Sequence, residues 1–336
     1  MNIPRKAEFA MMYGELALYS GNANRPLAEE ISNYMSIPLG KADVFKFPNQ
    51  NIFCRLHTSV RGKDVFVIQP ISVSFDNEER IVSINDNLME LLIMIDTLRR
   101  DSAGRITAVI SYFGYGRSDK KDQPRVPISA KLVADLIGVA GAQRFLTIDL
   151  HAGQIQGFFD IPGDELTAFR ELSGYLKRKQ LKDAVVVAAD IGAMKRARNF
   201  AQSLDMPLAV VEKRRVQTID GSSAESLNVI GDIADKDCII FDDEIDTAGT
   251  VMEAANLLKS QGGADIYAFA SHGTLSDFAT ERLQNSVIKE IVVTNTIPIP
   301  SYKQIDKLTV LSVAPLISEV IRRIHLGMSV GALFNE

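Results

Sequence analysis

Two cysteines, Cys54 and Cys238, among 336 residues are too few for a disulfide-stapled secreted scaffold. Both lie in strand-like runs, where a free buried thiol is ordinary, so a reducing, cytoplasmic compartment is expected. Long apolar runs are also missing. Leu88 to Ile95 comes nearest and is interrupted by Glu90, far short of the roughly 20 apolar residues that span a bilayer; no membrane partner is expected. Met1-Asn2-Ile3-Pro4-Arg5-Lys6 is followed by no apolar stretch or cleavage site, so no signal peptide is expected. Excess basic charge is lacking too: 37 Lys and Arg face 42 Asp and Glu, for a net charge of −5. With no basic, aromatic-interleaved stripe, a nucleic-acid surface is not expected. Anionic ligands must then be met locally, by short basic clusters or by metal.

Hydrophobic residues make up 46% of the chain and charged residues 24%, the balance of a globular protein, and the length suits two domains. Strand-like and helical runs alternate, which predicts parallel α/β architecture. In the first half, strands are expected at Leu16–Tyr19, Ala42–Phe47, Val65–Gln69, Ile106–Tyr112 and Arg144–Ile148, with helices at Pro26–Met35, Asn87–Arg100 and Ile128–Val139. In the second, strands are expected at Ala184–Ala189, Leu208–Val211, Cys238–Asp243, Ile266–His272, Val287–Thr294 and Leu308–Val313. Helices there are expected at Gly192–Leu204, Gly249–Gln261, Ser276–Leu283 and Ala314–His325. Two similar halves suggest a duplicated fold with a cleft between them. Ile161-Pro162-Gly163 breaks both periods, giving domains 14–162 and 163–336, with the C-terminal tail packing back on the first.

The most informative stretch is Asp242-Asp243-Glu244-Ile245-Asp246-Thr247-Ala248-Gly249-Thr250, which follows a buried strand and opens a helix. Two carboxylates at a strand end accept hydrogen bonds from vicinal hydroxyls or hold Mg²⁺. The turn from Asp246 to Thr250 offers backbone N–H groups, hydroxyls and a helix N-terminus, which suit a phosphate dianion. A phosphorylated pentose satisfies both. The plainer alternative is an N-cap and turn. Ligands of open parallel sheets sit beyond the carboxyl ends of strands, and the other chemically rich residues follow strands as well. Arg117 to Asp122 is either a solvated loop or a polyphosphate contact. His151 and Asp190 are either satisfied polar residues or a divalent-metal pair. Lys213-Arg214-Arg215 and the polar stretch Gln217 to Asn228 are either surface decoration or a lid. His272-Gly273 reads as a turn.

With these residues in hand, the chain resembles the ribose-phosphate pyrophosphokinases, synthetases of 5-phosphoribosyl 1-diphosphate (PRPP). The similarity includes Phe47-Pro48-Asn49-Gln50, Ser59-Val60-Arg61-Gly62-Lys63-Asp64, Asp149-Leu150-His151-Ala152-Gly153-Gln154, Lys213-Arg214-Arg215 and the Asp242 loop. The resemblance implies two type I phosphoribosyltransferase-like domains, each a parallel β-sheet flanked by helices. It also implies transfer of the β,γ-diphosphoryl group of ATP to ribose 5-phosphate, Mg²⁺ as cofactor, and a homo-hexamer. Carried over, Asp246, Thr247, Ala248, Gly249 and Thr250 hold the 5-phosphate while Asp242 and Asp243 face the ribose hydroxyls. His151 and Asp190 match the metal positions, and Lys213 and Arg215 the catalytic lid. Arg117, Ser118, Asp122 and His151 match ATP contacts, with Phe47, Asn49 and Asn51 lining the adenine pocket. Ser59, Arg61, Arg125 and Ser329 match a second anion site, where phosphate activates and ADP inhibits.

Several positions depart from that pattern. Asn51 stands in place of a Glu beside the adenine amino group, which predicts relaxed nucleotide choice. Ser118 replaces a Gln, Ile191 and Ala193 replace Ala and Gly, and Gly331 replaces a Ser near the second anion site. Residues Ser72 to Val82 contain an insertion. Two other functions remain in view: a non-catalytic subunit that assembles with an active synthetase, and a phosphoribosyltransferase that consumes PRPP.

Overall fold

The computed structural model describes residues 13–76, 78, 80–217 and 223–333, with backbone alone at 213–217, 223–227 and 332. The first half contains β1 (Leu16–Ser20), α1 (Arg25–Met35), β2 (Ala42–Lys46), β3 (Ile52–Leu56), β4 (Asp64–Ile68), β5 (Ser74–Phe75), β6 (Ile81–Val82) and α2 (Ile84–Arg100). It continues with β7 (Arg105–Ile110), α3 (Ser129–Ala140), β8 (Arg144–Ile148) and β9 (Gly163–Leu166). Strands β1, β4, β7, β8 and β9 form one sheet in that order, all parallel. Every residue of β4 is buried, as expected for a strand covered by helices on both faces. β2 and β3 form a separate antiparallel hairpin.

The second half contains α4 (Phe169–Lys179), β10 (Ala184–Ala188), α5 (Met194–Leu204), β11 (Leu208–Gln217), β12 (Ser223–Ile230), β13 (Asp237–Ile245) and α6 (Gly249–Ser260). It ends with β14 (Ile266–Gly273), α7 (Ala279–Gln284), β15 (Ile288–Thr294), β16 (Leu308–Leu311) and α8 (Ala314–His325). Its sheet runs β12-β11-β10-β13-β14-β15-β16, parallel except where β12 returns against β11. The architecture is therefore α/β with two parallel sheets flanked by helices.

Three expectations change. The helix expected from Asn87 starts at Ile84, because Ser83 and Asp86 form a reciprocal capping box that satisfies its first N–H groups. The segment after Pro162 remains in the first sheet as β9, since Gly163 lies against the Phe145 ring where a β-carbon would collide. By sheet membership the crossing between halves therefore falls after Leu166, beyond the expected boundary at 162. The polar stretch after Val211 is a continued strand, paired antiparallel from Val210↔Ile230 to Gln217↔Ser223; residues 218–222, the tip of the expected lid, lie outside the described residues. So do residues 1–12, on which the signal-peptide expectation rested.

The halves share a core. Leu18, Leu27, Ile31 and Phe66 from the first pack with Val186, Phe200, Phe241 and Phe269 from the second, and with Ile317, Val320 and Ile321 of α8. Phe200 and Phe241 stack at 4.0 Å and 12°. The last helix is pinned to the first sheet by charge. Asp64 is fully buried and accepts from Arg105 Nε at 2.8 Å and Nη2 at 2.6 Å. His325 Nδ1 lies 2.9 Å from Asp64 Oδ2, while Arg105 Nη2 also donates to the Ile324 carbonyl at 3.1 Å. Cys54 sits half-buried in β3 and Cys238 buried in β13, both unpaired; burial pushes the Cys238 thiol up to about 11. No described helix is long and apolar enough to cross a membrane.

Removing one partner of a buried charge network leaves the other uncompensated, at a cost of about 3–5 kcal/mol. Asp64→Ala should lower unfolding stability by that order in denaturant titration. A loss below about 1 kcal/mol, the range of an exposed pair, would contradict the role given to this carboxylate.

Candidate active site

β13 runs two residues past its expected end at Asp243, to Ile245, because Glu244 and Ile245 still pair with His272 and Gly273 of β14. The turn from Asp246 then delivers the chain into α6. Ala248 occupies the cap position with φ +63, and no side chain caps the helix. The simple N-cap alternative is thus not what the structure contains: the first N–H groups of α6 have no side-chain acceptor and open toward a cavity. A left-handed alanine costs roughly 1–2 kcal/mol, so the turn relies on its backing. Thr274 Oγ1 donates to Glu244 Oε1 at 2.8 Å and to the Ile245 carbonyl at 3.1 Å. The backbone N–H groups of Leu275 and Ser276 donate to the carbonyls of Ile245 and Asp246, each at 3.1 Å.

Asp243, with 5% of its surface exposed, joins the two halves. Its Oδ2 lies 2.8 Å from Nδ1 of His151, which stands just beyond β8. Its Oδ1 accepts from Arg196 in the first turns of α5, and Arg196 Nη1 also reaches Asp242 Oδ1 at 3.3 Å. Arg196 Nη2 donates to the His151 carbonyl. Asp242 accepts from the Asp243 backbone N–H at 2.8 Å. Burial, and then the neighbouring Asp243, raise the Asp242 carboxyl above the usual carboxylate range. Burial presses Asp243 the same way, but His151 and Arg196 outweigh it and hold that carboxyl below the usual range. Close carboxylates divide in this way because both cannot ionise freely.

Arg117, Asp119, His151, Asp190, Arg196 and the run Asp242 to Val251 line one cavity of about 500 Å³. Arg117 bridges Asp246 at 2.8 Å and Glu244 at 3.4 Å. Asp190 Oδ1 accepts from the Ala193 N–H at 2.8 Å, which shapes the entry to α5. Among the described residues no three His, Cys, Asp or Glu side chains are grouped to hold a metal alone. His151 and Asp190 nevertheless face the same space. Two protein ligands, with water and phosphate oxygens supplying the rest, is a normal arrangement for Mg²⁺.

Other sequence candidates stand elsewhere. Phe47, Asn49 and Asn51 lie on the turn of the β2–β3 hairpin, where the Phe47 N–H donates to the Asn51 carbonyl at 2.8 Å and the Asn51 N–H to Asn49 Oδ1 at 3.1 Å. Phe45, Phe47 and Phe53 form an aromatic cluster there, with centroids 5.1–5.6 Å apart. Ser118 contributes its backbone to the join with α3, and Asp122 is exposed. Of Ser59, Arg61, Arg125 and Ser329, only the first two are linked by a hydrogen bond among the described residues, the Arg61 N–H donating to Ser59 Oγ at 3.3 Å; the Ser329 carbonyl accepts from Arg323 at 2.9 Å. The side chains of Lys213 and Arg215 lie outside the described residues. His272, expected at the end of a strand and start of a turn, is a buried member of β14, which runs one residue further to Gly273. Its Nδ1 meets Thr296 Oγ1 at 2.8 Å and its Nε2 the Ile148 and Asp149 carbonyls at 3.1 and 3.0 Å. Sequence reading missed Arg196. Its signal was a basic residue six positions beyond Asp190, the carboxylate that follows β10.

The class defined by fold and site is an α/β protein whose paired carboxylates and open helix N-terminus meet at the ends of parallel strands. Residues 16–141 match the family model for the N-terminal domain of ribose phosphate pyrophosphokinase, and 213–335 that of the phosphoribosyl synthetase-associated domain. The ribose-phosphate pyrophosphokinase of Clostridium tetani is 48% identical over 95% of this chain and 97% of its own length. That of Caldanaerobacter subterraneus subsp. tengcongensis is 50% identical over 95% and 98%. The crystal structure of the phosphoribosylpyrophosphate synthetase from Mycobacterium smegmatis superposes with a TM-score of 0.84 at 42% identity, covering 93% of this chain and 99% of that one. The chain belongs to the ribose-phosphate pyrophosphokinase family.

The hydrogen bond to Asp243 raises the His151 imidazole above its ordinary value, against the opposing effect of burial. A proton held more tightly in the folded state stabilises it fully below about pH 6.5, the unfolded value, and the contribution fades as pH rises through the raised one. In metal-free protein the His151 ring should titrate above about 6.5 by NMR, and Asp243→Asn should bring the midpoint down. An unshifted midpoint would contradict the pairing.

Proposed function

We propose that this chain is a ribose-phosphate diphosphokinase, which moves the β,γ-diphosphoryl group of ATP onto the anomeric hydroxyl of ribose 5-phosphate to give PRPP and AMP. The observation that carries this reading is the single cavity in which Asp242, Asp243 and the uncapped start of α6 face His151, Asp190 and Arg117. A sugar with vicinal hydroxyls and a distal phosphate suits one wall, and a metal-bound polyphosphate suits the other.

In this reading the N–H groups from Asp246 to Thr250 hold the 5-phosphate, and Asp242 and Asp243 accept from the ribose hydroxyls. His151 and Asp190 would hold Mg²⁺, which neutralises triphosphate charge when bound. Arg117 stands between the two, already engaged with Glu244 and Asp246. Lys213 and Arg215 occupy positions two apart on β11, opposite Leu227 and Glu225 of β12, and serve as the cationic lid. The anomeric hydroxyl oxygen bonds to the β-phosphorus and gives its proton to solvent, while the bond from that phosphorus to the α,β-bridging oxygen breaks and AMP leaves with the bridging oxygen. No covalent enzyme intermediate is needed. Catalysis is positioning together with charge offset.

Phe47, Asn49 and Asn51 would contact adenine, with Ser118 and Asp122 nearer the phosphates. The family resemblance favours a cytoplasmic homo-hexamer in which that hairpin reaches a neighbouring subunit, with phosphate and ADP acting at Ser59, Arg61, Arg125 and Ser329.

Purified protein given ATP, Mg²⁺ and ribose 5-phosphate should form AMP and PRPP in equal amounts. Absence of AMP would favour the non-catalytic subunit instead. Lys213→Ala should lower kcat by about 10²–10³-fold, as expected for loss of one preorganised charge, with KM for ribose 5-phosphate changed little. A rise in KM alone would contradict a transition-state role. Asn51→Glu adds a second acceptor for an amino group and should raise the ATP-to-GTP ratio of kcat/KM; an unchanged ratio would remove Asn51 from the adenine site.

A further inference from the structure

The segment Ser72 to Val82 is the one that family resemblance leaves without a role. β5 and β6 form a short antiparallel hairpin ahead of α2. Asp76 braces its turn, accepting from the Glu78 and Arg80 N–H groups at 2.9 Å each and from Arg80 Nε at 2.8 Å. The base is anchored in the first half: Asn87 Nδ2 donates to the Ser72 carbonyl and to Ser74 Oγ, both at 2.8 Å, and all three residues are buried. From that anchor the hairpin delivers Phe75 to the second half. The Phe75 ring meets Tyr302 edge-on at 5.6 Å and 89°, and Lys303 Nζ stands over the same ring, 5.6 Å from its centroid.

What lies behind Phe75 gives the hairpin its function. Lys303 Nζ donates to the Leu275 carbonyl at 2.8 Å. Leu275 is buried and has φ +46, a strained conformation for a branched side chain that lasts only where neighbours impose it. Its own N–H holds the Ile245 carbonyl, and the next N–H holds that of Asp246, where the phosphate turn begins. The walls around this contact, Val73, Phe75, Gly273 to Leu275 and Ile297 to Pro300, leave only about 10 Å³ between them, no more than one water requires. The opposite strand takes little part: Ile81 is 73% exposed. Beyond its buried anchor at Asn87, the hairpin's contacts thus run through Phe75 and Lys303 to the turn.

We propose that the Ser72–Val82 insertion is a strap across the two halves, in which Phe75 is a positioning residue that sets the Asp246–Thr250 turn through Lys303 and Leu275. It tunes affinity for the sugar phosphate. The affinity part rests on reading that turn as the ribose 5-phosphate site; the mechanical part does not.

The test compares Phe75→Ala, Phe75→Leu and Tyr302→Ala with the parent full-length protein. Hydrogen exchange without substrate reads the turn directly: the Leu275 and Ser276 amides should exchange about ten-fold faster in Phe75→Ala and Tyr302→Ala, with the core of β13 unchanged. KM for ribose 5-phosphate should rise about five-fold while kcat and KM for ATP stay within about two-fold, and Phe75→Leu should recover much of the loss. Unchanged exchange at 275 and 276, or equal rises in both KM values, overturns the strap. Failure of both truncations to fold also overturns it, by making the hairpin a folding element. If the parent protein does not turn over ribose 5-phosphate but exchange responds as stated, the strap stands and the reading of the substrate fails.

Discussion

One buried carboxylate, Asp243, sets the terms for the rest of the molecule. It is supplied by the second sheet, yet its partners come from both halves: His151 beyond β8, and Arg196 at the start of α5. A charge at this depth persists only while it is paired and hydrogen-bonded, so the two halves must hold a fixed distance. The shared core beneath the site, with stacked Phe200 and Phe241, supplies that rigidity. So does α8, last in the chain, which packs against α1 and is fastened to the first sheet by Asp64 and Arg105. Neither half completes its packing, or the cavity, without the other.

The same constraint explains the unusual local choices nearby. The α6 N-terminus lacks a side-chain cap and begins after a left-handed alanine, both unfavourable in an isolated helix. Their cost is offset by the Thr274 to Ser276 backing and by Arg282, which donates to the Thr247 carbonyl at 3.2 Å. Strain of this kind gathers where a backbone must present its N–H groups to a ligand. Arg196 and Arg117 meanwhile occupy the carboxylates and the turn that a substrate would use. The groups that line the cavity are therefore already ordered by one another.

Much of this was legible in the sequence, for local reasons. The Asp242 stretch read as strand, turn and helix because an apolar run, a carboxylate pair and Thr-Ala-Gly follow one another. Of the remaining candidates named by resemblance, Arg117, His151 and Asp190 line the cavity beside that turn. The misses have physical causes. Gly163-Asp164-Glu165-Leu166 looks like a turn by composition, and becomes an edge strand only because Phe145 leaves room for no side chain at 163. Helix α4 carries Leu172 and Leu176 one turn apart, a sign that was present and passed over, as was the Ser83 and Asp86 box opening α2. Arg196 had only its place shortly after Asp190 to mark it and Phe75 had no local sign, because their partners are distant in sequence and meet them only through the fold.

The most direct measurement is a crystal structure of the protein grown with ribose 5-phosphate. The account predicts the phosphate against the N–H groups of Thr247 to Thr250, with the sugar hydroxyls beside Asp242 and Asp243 and the anomeric carbon turned toward His151. A sugar phosphate bound away from β13 while that turn stands empty would contradict it.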